Sequence, residues 1–143
     1  MSQNITIRCL ALILHEDKLL VAKHAEEKDY YALPGGKLEK GENPLECIKR
    51  EIKEELGVEV SELKLAYVNK FETKEGKENL EFFFLVKDGQ DFVDLTGNDR
   101  THAFEIFEMR WIGADEEVRL LPESIHKEFK ENGFNLQEVK FIS

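Results

Sequence analysis

The sequence predicts a mixed-sheet α/β (α+β) layer structure in a single domain over residues 1–143. Three observations predict it. Strand-like and helix-like runs alternate irregularly, several strands are parted only by hairpin-sized polar turns, and no linker, repeat or low-complexity tract divides the chain. With 143 residues, 41% hydrophobic and 35% charged, the chain can bury roughly two-thirds of its unfolded surface in one core.

Residues 5–14 are apolar and β-branched enough for a central strand, and residues 18–23 for a second, with His15-Glu16-Asp17 as the turn between them. Residues 25–29 form a polar loop. Tyr30 to Leu33 then lead into Pro34-Gly35-Gly36, a turn that needs the backbone freedom of glycine. A helix is expected from Pro44 to Leu56: Asn43 is a good N-cap, Pro44 suits the first helical position, Glu46 approximates a capping box, and Gly57 suits the C′ position. Leu45, Ile48, Ile52 and Leu56 follow helical spacing and form its expected buried stripe.

Residues 62–72 alternate as a strand, with Leu63, Leu65 and Tyr67 on one face. Residues 73–79 are a polar hairpin tip, and residues 80–86 an antiparallel partner strand. In that partner Phe82, Phe83 and Phe84 point alternately and belong mainly to the core. Residues 90–103 are irregular. A strand is expected over residues 105–113, a short helix over 114–120, a better helix over 122–132 with Ile125 and Phe129 buried, and a closing strand over 136–142.

Glu51, Glu54 and Glu55 fall at i, i+3 and i+4 on the first helix, so their side chains converge. Like charges at that spacing each cost about 0.2–0.5 kcal/mol per pair, and these lie toward the helix end whose dipole disfavours negative charge. A divalent cation removes both penalties, and carboxylate oxygens suit Mg²⁺ or Mn²⁺. Taken by itself, the face could equally be a solvated surface partly neutralised by Lys49, Arg50 and Lys53.

The surrounding segment decides the matter. Residues 36–58 fit Gly-x5-Glu-x7-Arg-Glu-U-x-Glu-Glu-x-Gly-U, where U is a bulky aliphatic, through Gly36, Glu42, Arg50, Glu51, Ile52, Glu54, Glu55, Gly57 and Val58. Seven fixed residue types make a chance match on the order of one in a hundred million per starting position. This is the Nudix box, and the chain resembles a Nudix hydrolase. The resemblance extends to Tyr31-Ala32-Leu33-Pro34-Gly35 and to Arg110-Trp111. It implies the Nudix αβα sandwich, a mixed sheet between helices.

The resemblance also implies hydrolysis of a diphosphate linked to another moiety, with Mg²⁺ or Mn²⁺ as cofactor and a small nucleotide-type diphosphate as substrate. Glu51, Glu54 and Glu55 are then the metal ligands, with the Gly36 carbonyl as a further oxygen, and Glu42 with Arg50 an ion pair that fixes the loop to the helix. Glu51, Glu54 and Glu105 are the catalytic candidates. Glu105 lies six residues before Trp111, an offset at which some relatives place a glutamate; Glu108 and Glu81 are the runners-up. Arg8, Lys23 and Arg100 are basic groups suited to phosphate oxygens, and Tyr31 or Tyr30 to stacking on a base. His24 and His102 have no telling partner in sequence and are assigned no catalysis.

Nothing outside the box selects one substrate. No proline occurs between Pro44 and Pro122, no tyrosine follows Tyr67, and the chain has two cysteines, too few for a four-cysteine zinc module. These absences favour nucleoside triphosphates or modified nucleotides. A nucleotide-sugar or ADP-ribose-type pyrophosphatase is the alternative, and a non-catalytic nucleotide-binding regulator the alternative of another class. The net charge of −10 argues against nucleic-acid and anionic-membrane partners, which require basic patches. The first residues lack a signal-peptide pattern, and their apolar run is too short to span a bilayer. Cys9 and Cys47 are then expected as reduced, buried thiols in the cytosol. A homodimer fits the resemblance, since many relatives form dimers.

Overall fold

The structure, a computed structural model, describes residues 4–142; residues 1–3 and 143 of the expected domain lie outside the described part. Its organising strand is β1 (Ile5–His15). Alternation along β1 feeds two cores. Cys9, Ala11 and Ile13 pack with Cys47, Ile48, Ile52 and Leu56 of α1 (Pro44–Leu56), whereas Leu12 packs with Ile125 and Phe129 of α2 (Glu123–Asn132). A strand buried on both faces reads as a continuous apolar run, as this one does.

The other strands are β2 (Lys18–Lys23), β3 (Gly35–Lys37), β4 (Lys64–Glu72), β5 (Glu78–Val86), β6 (Glu108–Ile112) and β7 (Lys140–Ile142). Their order is β6-β2-β1-β5-β4-β7, with β3 also paired to β1. One edge of β1 runs parallel to β5; the other is shared, with β3 antiparallel at residues 8–10 and β2 antiparallel at residues 14–15. The sheet is therefore mixed and lies between the two helices, the expected sandwich. Glu16 and Asp17 both take positive φ, 48° and 64°, which is what a two-residue hairpin matching the strand twist requires. Among the described residues no helix is long and apolar enough to cross a membrane.

The first helix has the expected bounds, and its capping box is complete: Glu46 N–H donates to Asn43 Oδ1 and Asn43 N–H to Glu46 Oε1, each at 2.9 Å. Leu45 departs from the expected stripe, being 41% exposed; Cys47 takes the buried place beside Ile48. In β4 a register shift lies between Leu65 and Tyr67. The bulge leaves Leu63 and Leu65 against the α1 layer but turns Ala66 and Tyr67 into the α2 layer, so the three residues expected on one face divide. There the Tyr67 hydroxyl donates to Glu128 Oε1 at 3.0 Å, and Lys140 Nζ donates to Glu128 Oε2 at 2.7 Å, tying β4, α2 and β7 together.

Phe83 faces the α2 layer and Phe82 and Phe84 the α1 layer, as alternation requires. Residues 114–120 hold no helix: Gly113 N–H donates to Glu116 Oε1, and an isolated bridge joins Tyr31 to Leu120, so turns and side-chain bonds replace it. The sixth strand starts only at Glu108, because Ala103–Glu105 forms a 3₁₀ turn packed against α1. The closing strand shortens to Lys140–Ile142, which is all that finds a partner in β4. Both cysteines are free and buried.

Candidate active site

The box segment folds as loop–helix–loop, and two glycines allow it to close. Gly35 has φ +144°, and a Cβ there would lie 2.1 Å from the Cys9 carbonyl oxygen; β3 can dock on β1 only without a side chain. At Gly36 a Cβ would lie 2.5–2.7 Å from the Glu51 carboxylate. The space a side chain would fill is where that carboxylate meets the backbone.

Arg50 gathers the acidic groups. Its Nε and Nη2 donate to Glu42 Oε2 and Oε1 at 3.1 and 2.8 Å, a two-pronged pair, and Nη2 also reaches the Lys37 carbonyl at 3.1 Å. Its Nη1 donates to Glu51 Oε1 at 2.9 Å and Glu54 Oε2 at 3.2 Å. The Arg50 bond holds the Glu42 carboxyl well down, at about 2. Glu42 and Arg50 therefore lock the loop to the helix.

Glu51 and Glu55 are 8% and 1% exposed. Burial pushes the Glu51 carboxyl above its ordinary range. Glu55 is pushed up to about 8, by burial first and then by the charges of Glu51, Glu105 and Glu54, against a lowering bond from the Gly35 N–H at 3.2–3.3 Å. Such a group lacks a positive neighbour. Glu105 belongs to this cluster, whereas Glu108 accepts the Tyr31 hydroxyl at 2.6 Å and Glu81 lies across the sheet against Asn69.

His102 is the residue that sequence reasoning missed. Its Nδ1 stands 2.9 Å from Glu54 Oε2 and 3.8 Å from Glu105 Oε1, and its N–H donates to the Glu54 carbonyl at 2.8 Å. Glu54 and His102 lie 48 positions apart in the chain, and no periodic signal pairs them. The same irregular stretch caps α1: Arg100 Nε donates to the Glu55 carbonyl at 2.7 Å and Asn98 Nδ2 to the Leu56 carbonyl at 3.1 Å. These bonds satisfy carbonyls that every helix end leaves free, and the positive charge of Arg100 complements that end of the dipole. Arg100 thus serves the helix terminus. Arg100→Ala is expected to lower stability by roughly 1–2 kcal/mol, with Arg100→Lys intermediate, as measured by urea unfolding.

The remaining candidates divide. Arg8 lines a cleft of about 730 Å³ beside Gly35 and Gly36. Lys23 sits over the Tyr31 ring, 5.1 Å from its centroid, and Tyr31 is 8% exposed, so neither lines that cleft. Tyr30 lines it.

The donor set fits a divalent cation. It consists of hard carboxylate oxygens, two of the three groups are buried, and that burial raises both of their carboxyls. Among the described residues no three such side chains already converge at ligand distance, because Glu51 and Glu54 both turn to Arg50. Glu55 gives a pH signature. Below about 4.5 it is protonated both folded and unfolded; between 4.5 and about 8 only the unfolded chain releases the proton. Stability from this group is therefore full below pH 4.5 and declines up to about pH 8. The cation-free protein is expected to melt lower at pH 8 than at pH 5, Glu55→Gln to reduce that decline, and Mg²⁺ to stabilise more at pH 8. Equal stabilisation by Mg²⁺ at both pH values would remove Glu55 from the metal's reach.

The fold and this acidic loop–helix–loop define a class, and the comparisons identify it. The NUDIX domain family model matches residues 5–132, and the chain belongs to this family of hydrolases. In shape it is similar to the Mutator MutT protein from Bacillus halodurans, with a TM-score of 0.69 at 22% identity over 95% of this chain and 86% of that one. It is similar also to the MutT NUDIX hydrolase from Burkholderia pseudomallei (TM-score 0.63, 23% identity, 80% and 87% covered). A UDP-X diphosphatase gives 0.64 at 22% identity, covering all of this chain and 69% of that one. No curated protein matches the sequence.

Proposed function

We propose that this chain is a metal-dependent pyrophosphohydrolase that cleaves a nucleoside diphosphate linked to another moiety, with nucleoside triphosphates or modified nucleotides as favoured substrates. The observation that carries this is the paired burial of Glu51 and Glu55 beside Glu54, three carboxylates of which Arg50 bonds to Glu51 and Glu54 and leaves Glu55 without a cation. That excess of negative charge answers a cation and, through it, an anionic diphosphate.

Glu51, Glu54 and Glu55, with the Gly36 carbonyl, would hold Mg²⁺ or Mn²⁺, which supplies charge neutralisation on the diphosphate and acidifies an attacking water. Arg50 and Glu42 keep the glutamates aimed by bracing loop against helix. Glu54 and Glu105, 2.9 and 3.8 Å from His102 Nδ1, are the carboxylates assigned here to accept a proton from the attacking water. Arg8 lies in the adjoining cleft, placed for an anionic oxygen.

The reading is tested by incubating the protein with Mg²⁺ and a panel of nucleoside triphosphates, modified nucleotides, nucleotide sugars and ADP-ribose, and resolving the products by chromatography. Turnover of a nucleotide sugar or ADP-ribose alone would favour the alternative pyrophosphatase reading. Tight binding of one nucleotide without turnover of any would make the chain a nucleotide-binding regulator.

A further inference from the structure

The cleft beside Gly35 and Gly36 holds three polar side chains in a row across neighbouring strands. Arg8 on β1 is opposite Glu81 on β5, and Glu81 is opposite Asn69 on β4. Glu81 is 9% exposed and Asn69 5%, although the sheet face beyond them is apolar, with Leu12, Phe83 and Leu85. Asn69 Nδ2 donates to Glu81 Oε1 at 3.0 Å; the opposite amide orientation would turn a carbonyl toward a carboxylate. Asn69 Oδ1 then has no hydrogen-bond partner. An orphaned acceptor at the wall of a cleft needs a reason, and a donor brought by a ligand supplies one.

The chemistry of that donor is narrow. Asn69 and Glu81 are paired across β4 and β5, and both the orphaned Oδ1 and the carboxylate accept, so the group they take between them is a donor. Tyr30 and Phe71 also line the cleft, and aromatic side chains there favour a planar ring over a sugar. We propose that Glu81 and Asn69 recognise an exocyclic amino group on the base of the nucleotide, one N–H to each acceptor, and so set base preference. The inference rests on the pyrophosphohydrolase reading and adds which nucleosides enter. An –NH₂ group offers two hydrogens diverging from one nitrogen, whereas a ring carbonyl offers none.

The test needs no turnover. GMP and IMP differ only in the 2-amino group, and CMP and UMP differ at the 4-amino position. Each is titrated calorimetrically into the protein without divalent cation. The amino-bearing member of each pair is expected to bind roughly tenfold tighter, and both ratios to approach one in Glu81→Gln and Asn69→Ala, whose folding is checked by circular dichroism and melting. Equal binding within pairs, no binding at millimolar concentration, or ratios unchanged in both variants overturns the proposal. So does a dependence on the ribose 2′-hydroxyl, read with GMP against dGMP, in place of the amino group. Base preference without hydrolysis of any diphosphate would sink the enzyme reading alone; hydrolysis with no base preference would sink this one alone.

Discussion

Glu54→Gln is expected to lower the rate of Mg²⁺-dependent diphosphate hydrolysis by roughly three orders of magnitude, while leaving the melting temperature close to that of the parent. Glu54 is bonded on one side to Arg50 Nη1 at 3.2 Å and approached on the other by His102 Nδ1 at 2.9 Å. An amide keeps the shape and one acceptor but loses the negative charge that a cation requires. Because Glu54 lies at the edge of the cluster, with Glu55 and Glu51 more buried behind it, the substitution leaves no new buried charge unpaired. The measurement is a steady-state rate with thermal unfolding as control. An unchanged rate would mean that the glutamate cluster is not the metal site, whatever the family.

Gly35→Ala is expected to have the largest effect on folding. The added methyl would stand 2.1 Å from the Cys9 carbonyl oxygen and 2.8 Å from Leu10 Cα, both main-chain atoms, at a φ of +144°. Neither neighbour can rotate away. Strain at such a φ costs about 1–3 kcal/mol and forced overpacking a further ~1–3 kcal/mol, together a large share of a typical domain's 5–15 kcal/mol or so. Loss of the β1–β3 pairing would also withdraw the Gly35 N–H from Glu55. Urea unfolding should show a markedly lower midpoint; a midpoint within experimental error of the parent would show that β3 does not dock as described.

Gly36, expected from sequence as part of a glycine turn and of the motif, has a further local cause in the same geometry. Its missing side chain makes room for the Glu51 carboxylate. Gly36 and Glu51 are thus two halves of one constraint: backbone and acid approach within a distance no Cβ permits.

What could be read from sequence was what is local. The helix Pro44–Leu56 follows from Asn43, Pro44, Glu46 and Gly57, all within one turn of its ends, and capping is a short-range interaction. Strand alternation in β1 and β5 likewise sorts residues without knowledge of partners. The missed elements depend on distant partners. Tyr67 changes face because β4 bulges against β5, and residues 114–120 stay irregular because Tyr31 and Leu120 bridge them to another part of the chain.

The candidate site divides in the same way. The sequence by itself carried the motif whose resemblance implies the proposed reaction class, and helical periodicity set Glu51, Glu54 and Glu55 on one face. Only the tertiary structure decided their surroundings. Folding carries Asn98, Arg100 and His102 onto the end of α1 and places Glu105 beside the cluster. It also buries Tyr31 while opening Tyr30, and lines up Arg8, Glu81 and Asn69 across three strands. The reason is physical: charge, burial and cleft shape come from groups far apart in the chain, whose approach depends on sheet register and helix packing, and neither leaves a periodic trace in the sequence.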